Sequence, residues 1–318
     1  FDNVETFFNS HHWPTWGHER IITQMQQQQD MYKFIHDQTV RLANIGYTPK
    51  EIAEKLTLPK SLAGNFHLRG YYGTLSHNSK AVYQHYFGWY EGNPAQLNPL
   101  PPVESSLRYV EFMGGADAVL EKAAVYLGEG EYRWVGEVLN HVVFADPDNM
   151  PARNMLAEAY RQMGYQAESG PWRDIYLSGA KELSEGAREE SPSVFLARDF
   201  MLQVPMIEFM KALSVTLDAD KAEGERLKIN ILFTELEQNF VLSIRNSVMH
   251  YRELPTDSGA DASIAISGSL FFQIMMKQVG ITDLLTSEEL EVEGSVLKLI
   301  KFFSLLGEPN DNFNIVTP

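Results

Sequence analysis

Adjacent histidines stand at positions 11 and 12, inside Asn9-Ser10-His11-His12-Trp13-Pro14-Thr15-Trp16-Gly17. A neutral imidazole is a common metal ligand, and an imidazole N–H can hold an anion. The run ahead of the pair, Val4-Glu5-Thr6-Phe7-Phe8, alternates and is rich in aromatics, which predicts a strand. A strand end is a stiff place from which to aim an imidazole. Side chains alternate along a strand, but at the strand's end that alternation relaxes, so one histidine can take a metal while its neighbour reaches an anion. The strand opens the sequence with no evident partner nearby, which predicts a sheet completed by residues outside this sequence. On spacing alone, a plain turn beside Trp13 and Trp16 is the simpler reading. Two imidazoles are half of a four-donor zinc set, and no His-x-His-x-Asp-His run occurs.

Other candidate chemistry is sparse. His77 and His85 lie two helical turns apart with His67 nearby, yet no carboxylate stands at useful spacing, so packing and capping account for them better. The chain has neither a Gly-rich phosphate loop nor a Gly-x-Ser-x-Gly elbow. It has no cysteine, which excludes disulfides, a thiolate nucleophile and thiolate-held metals; any metal must be held by His, Asp and Glu. The net charge of −16 argues against nucleic-acid binding and against adhesion to anionic membranes. No apolar run reaches the roughly 20 residues needed to span a bilayer, and the first residues show no signal-peptide pattern.

The elements that must position these residues fall into three regions: 1–20, 21–190 and 191–318. The 318 residues, 44% hydrophobic, suffice for two cores. Helical spacing predicts a long helix over Glu19 to Asn44 with Gly46 as its stop, and shorter helices from Pro49 and Pro59. Ser76 or Asn78 is expected to cap the next helix, with Ala81, Val82, His85 and Tyr86 on one face, and Asn98 to Pro102 reads as a stiff connector. Ala123 and Tyr126 recur 34 residues on as Ala157 and Tyr160, around the turn Ala145-Asp146-Pro147-Asp148-Asn149, a pattern like tetratricopeptide hairpins. Two such units do not make an independent array, so they read as stacked hairpins inside a larger α domain.

Lys181 to Ser193 reads as a helix end and linker. Beyond it, alternation at Leu227 to Phe233, Phe240 to Ile244, Val248 and His250, and Ile264 and Ile266 predicts an antiparallel sheet. Apolar helices are expected over Val194 to Ser214, Ser269 to Val279 and Ser295 to Leu306. Their Met and Phe stripes read first as core, and second as a tunnel for an alkyl chain.

Four segments, Ser10 to Gly17, Gly70-Tyr71-Tyr72-Gly73-Thr74-Leu75-Ser76-His77-Asn78, Ala81-Val82-Tyr83-Gln84 and Gly88-Trp89-Tyr90-Glu91-Gly92-Asn93-Pro94, resemble the bacterial alkyl sulfatases of the metallo-β-lactamase superfamily. The resemblance continues to Asn312-Phe313-Asn314-Ile315-Val316-Thr317-Pro318. It implies the end of a metallo-β-lactamase αββα domain at 1–20, an all-α, tetratricopeptide-like dimerisation domain at 21–190, and an α+β sterol-carrier-protein-like domain at 191–318. It also implies hydrolysis of primary or secondary alkyl sulfates to alcohol and inorganic sulfate with two zinc ions. His11 would be a zinc ligand and His12 a sulfate contact. The remaining ligands would lie in an N-terminal zinc-binding portion of the same protein, in a homodimer, in a periplasmic or secreted setting. The alternatives are a non-catalytic module that dimerises and binds lipid or detergent, and a helical-repeat adaptor.

Overall fold

A computed structural model of the protein describes residues 3–187, 204–236, 238–275, 290–307 and 312–318. The chain divides into two compact units, residues 1–188 with 313–318, and residues 189–312.

The first unit is helical. α1 (His18–Ala43) ends where Gly46 takes φ +94°, a conformation that favours glycine. α2 (Pro49–Lys55) starts at a capping box in which Thr48 and Glu51 bond reciprocally. α3 (Lys60–Ala63) follows Pro59, and α4 covers Leu75–Phe87. Leu42, Ile52, Leu56 and Tyr83 join α1, α2 and α4 in one small core. The cap of α4 is Thr74, whose Oγ1 accepts the His77 N–H at 2.9 Å, not Ser76 or Asn78. Its buried positions are Ser79 and Tyr83, four residues apart, so the expected Ala81–Tyr86 face is turned outward.

Five further helices, α5 (Pro102–Phe112), α6 (Ala116–Glu129), α7 (Tyr132–Ala145), α8 (Met150–Gln166) and α9 (Gly170–Glu185), pack with α7 against α5, α6 and α8, and α8 against α9. Val135, Leu139, Val142, Leu156, Ala157 and Leu183 lie fully buried among them. The 34-residue correspondence holds for Ala123 and Ala157, both buried. It fails for the tyrosines, since Tyr126 is exposed while Tyr160 packs on the core. Asn149 caps α8 after the expected turn, its side chain accepting the Ala152 N–H at 3.0 Å.

The second unit is a five-stranded sheet of β3 (Leu227–Phe233), β4 (Gln238–Arg245), β5 (Val248–Glu253), β6 (Ala262–Ile266) and β7 (Leu290–Gly294), in the order β5-β4-β3-β6-β7. α10 (Met206–Ser214), α11 (Gly268–Met275) and α12 (Val296–Ser304) share its core; the sequence's apolar runs over 194–203 and 276–279 lie outside the described residues. The sheet is mixed, not antiparallel throughout: β6 lies parallel to β3, because the chain crosses from β5 to the free edge of β3. That crossing is held by Asn230, only 3% exposed, which donates to Asp257 O at 3.0 Å and accepts the Asp257 N–H at 3.0 Å.

The register of β5 also departs from expectation. Asn246 and Ser247 take φ +52° and +56°, making a two-residue hairpin turn that pairs Arg245 with Val248 and Ile244 with Met249. Ile244 faces the core, so Met249 does too, and Val248 is exposed. The alternating α12 stripe is one-sided: Leu299, Phe302 and Phe303 are buried, whereas Leu297 is exposed.

Two carboxylates fasten the crossing. Lys228 Nζ donates to Asp257 at 2.7 Å and holds that carboxyl below its ordinary 3.8, with help from the Gly259 N–H. Burial pushes Asp261 up, but Lys298 and the Lys228 backbone N–H outweigh it, and Asp261 also sits below 3.8. A carboxyl with a lowered folded-state pKa stabilises the fold above its unfolded value and loses that contribution as pH falls through the folded one. The denaturation midpoint of this unit is therefore expected to hold above about pH 5 and fall toward about pH 2. Asp261→Asn is expected to shallow that fall, measured by urea titration across pH.

Candidate functional site

The histidine pair sits in a hairpin. β1 (Thr6–Phe7) pairs antiparallel with β2 (Thr15–Trp16), so the first strand finds a partner within this chain, correcting the expectation that it has none. The Gly17 N–H extends the ladder to Glu5 O at 3.0 Å, and the His18 ring nitrogen Nδ1 lies 3.3 Å from Val4 O. His11 and His12 therefore occupy the connecting loop. His12 takes φ +69°, a left-handed conformation that histidine visits more readily than most residues, and this reverses the chain. Both side chains are exposed.

An aromatic loop supports the pair. The His11 ring lies 5.9 Å from Tyr72, and the His12 ring 5.6 Å from Tyr71 and 5.7 Å edge-on to Phe66. His11, His12, Arg69, Tyr71, Tyr72 and Asn78 line one open cavity of about 750 Å³. His67 lines it beside them, half-buried, with Nε2 buried and unbonded. Burial, and then the nearby His12, lower its pKa, so it favours the neutral imidazole.

The loop is fixed from below by α9. Ser169, 1% exposed, donates from Oγ to Tyr72 O at 2.5 Å and accepts the Trp172 N–H at 3.3 Å. The Gly170 N–H, free at the start of the helix, donates to Tyr71 O at 2.8 Å. Arg69 pairs with Glu168 at 2.5 Å and lies over the Tyr71 ring. At Gly73 a Cβ would come within 2.9 Å of Asn78 Oδ1, so a larger residue would displace the Asn78 side chain. His77 accepts at Nδ1 from the Trp172 indole N–H at 3.2 Å. His85 stacks edge-on with Tyr86.

Sequence reasoning found the histidines and the Gly70–Asn78 loop but missed Ser169, Glu168 and Trp172. The available signal was the pair Ser169 and Pro171, an N-cap with proline in the first turn.

The zinc reading can be tested on these contacts. The exposed imidazoles of His11 and His12 are suitable donors on a tied hairpin. Among the described residues, however, no three His, Asp or Glu side chains gather.

Residues 48–186 match the family model for alkyl sulfatase dimerisation, and residues 195–318 the model for the alkyl sulfatase C-terminal domain. The chain belongs to the alkyl sulfatases. It is 44% identical over 317 residues to a linear primary-alkylsulfatase of a Pseudomonas species, covering 100% of this chain and 47% of that protein. It is 45% identical over 315 residues to the alkyl/aryl-sulfatase BDS1 of Saccharomyces cerevisiae, covering 99% and 48%. The solved structure of the stereoselective inverting sec-alkylsulfatase Pisa1 from Pseudomonas matches with a TM-score of 0.92 at 38% identity, over 100% of this chain and 50% of that one. The chain thus spans about half the length of these alkyl sulfatases.

Ser169→Ala removes the donor to Tyr72 O and the cap of α9 together. It is expected to cost the helical unit about 1–3 kcal/mol in urea denaturation and to raise exchange at the Trp172 amide, with far-UV circular dichroism unchanged.

Proposed function

We propose that this chain is part of a binuclear-zinc alkyl sulfatase that hydrolyses primary or secondary alkyl sulfates of the dodecyl sulfate type to an alcohol and inorganic sulfate. The observation that carries this reading is the exposed His11–His12 pair on a tied hairpin above an aromatic cavity, in a chain of this family. In this reading the Thr6–Trp16 hairpin completes a metallo-β-lactamase-like domain formed by an N-terminal zinc-binding portion of the same protein.

His11 contributes one neutral nitrogen to the metal set. Zinc held there would supply the nucleophile by lowering the pKa of a water. His12 sits one residue further on, its backbone reversed, and holds the sulfate group with a ring N–H as the C–O bond to the alkyl chain breaks. Tyr71, Tyr72 and Phe66 lie against the two rings and keep them oriented. Arg69, neutralised by Glu168, holds the loop in place instead of meeting the anion directly.

The helical unit, tetratricopeptide-like in this reading, supports a homodimer through α5. Val103 and Leu107 lie one turn apart on that helix and are exposed, as is Phe112 at its end. The α+β unit, sterol-carrier-protein-like in this reading, receives the alkyl tail.

One observation favours a second reading, a dimerising module that binds lipid or detergent without catalysis. A cavity of about 420 Å³ in the α+β unit is lined by Val204, Met206, Phe209, Leu236, Phe271 and Phe272. Binding of a fluorescent fatty acyl probe at micromolar protein, abolished by Phe272→Asp, is the result this reading requires.

Kinetics on the intact polypeptide decide between the two. Sulfate release from dodecyl sulfate is expected to require zinc. His11→Ala is expected to lower kcat/KM by about a hundredfold or more with zinc content reduced, whereas His12→Ala lowers turnover with zinc retained. Unchanged turnover in both variants would remove the pair from the reaction. Val103→Asp with Leu107→Asp is expected to halve the mass measured by light scattering.

A further inference from the structure

Residues 313–318 follow the α+β unit in sequence but pack within the helical unit. A bend at Ile315–Val316 turns two successive backbone N–H groups onto one oxygen. Glu182 Oε1, in the last turn of α9, accepts them at 2.8 Å and 2.9 Å. The Val316 side chain packs on the core formed by α6 to α9. It enters a notch left open by Gly179, where a Cβ would lie 3.3 Å from both Tyr160 Cδ2 and Val316 Cγ1. Thr317 is buried, and Asn314 Nδ2 donates to Pro318 O at 3.2 Å.

Helix energetics do not account for Glu182. A carboxylate in a last turn faces the negative end of the helix dipole, and α9 has no basic residue there. Arg153 of α8 supplies the missing charge, donating Nε–H to Leu183 O at 2.8 Å. The Ile315 and Val316 N–H groups supply the carboxylate's own partners. The chain leaves α9 after Glu185 and returns to Glu182, one turn earlier.

We propose that residues 313–318 form a docked strap, and that Glu182, Gly179 and Tyr160 are a recognition groove built for it. The occupant is this chain's own Ile315-Val316-Thr317 segment. Recognition combines a carboxylate on two amides with an apolar plug beside a glycine. The strap fixes the last residues of the chain on the last turn of α9, a device independent of the histidine site.

Hydrogen exchange on the full chain tests it. Glu182→Ala is expected to speed exchange at the Ile315 and Val316 amides by about tenfold or more, with Glu182→Gln, which keeps an acceptor, giving a smaller change. Val316→Asp is expected to release the strap without altering α9. A synthetic peptide of residues 312–318 should then bind that variant saturably, and fail to bind once Glu182→Ala is added. If Glu182→Ala does not fold, the Val316→Asp chain and the peptide decide alone. Unchanged exchange in folded Glu182→Ala, or absence of peptide binding to Val316→Asp, would overturn the proposal. Protection of the two amides that falls on dilution would also overturn it, because the strap would then belong to a second copy.

Discussion

The clasp between the start of α9 and the backbone of Tyr71 and Tyr72 is the constraint on which the histidine site depends. Loops on a surface hold a geometry only if their carbonyls are tied to something stiff. Here two successive carbonyls are taken by the Ser169 hydroxyl and the Gly170 N–H, both at a helix N-terminus with donors to spare. From that anchor the Tyr71 and Tyr72 rings reach the His12 and His11 rings. The histidines are thus placed from underneath by a helix nearly 160 residues further along the sequence. Gly73 allows the loop to close on Asn78, and Thr74 begins α4 immediately afterwards.

The same helix works at its other end by the opposite chemistry. Its start offers a hydroxyl and an N–H to loop carbonyls, and its last turn offers a carboxylate to strap N–H groups. Arg153 of α8 takes up the carbonyls that the last turn leaves free. The fully buried α8 and α9 side chains, Leu156, Ala157 and Leu183, lie in the core between these two ends. A cost at that core would be felt at both ends, while a change at either end stays local.

Local patterns were legible in the sequence where neighbours in the chain decide the outcome. The bounds of α1 and α2, the Asp146–Asn149 turn and the strands β3, β4 and β6 follow from caps, prolines and period, and the structure places them where the sequence does, whereas β7 (Leu290–Gly294) escaped the sequence reading. The histidine pair was legible as chemistry. What the sequence hid depends on distant partners. Val248 and Met249 exchange faces because a two-residue turn sets the register, and both residues are apolar. The parallel pairing of β6 rests on Asn230 holding a loop 27 residues away, which no alternation reports. The strand before His11 appeared unpartnered because its partner Thr15–Trp16 is only two residues long and broken by Pro14. Ser169 looked like a helix start and nothing more, since its second role lies with Tyr72, 97 residues earlier.

Anomalous diffraction at the zinc edge, on crystals of the intact polypeptide grown with sulfate, tests the central claim most directly. The account requires a metal peak about 2.0–2.1 Å from a ring nitrogen of His11, with the sulfate within hydrogen-bond reach of His12. Zinc bound elsewhere with both rings free of metal and anion would contradict it.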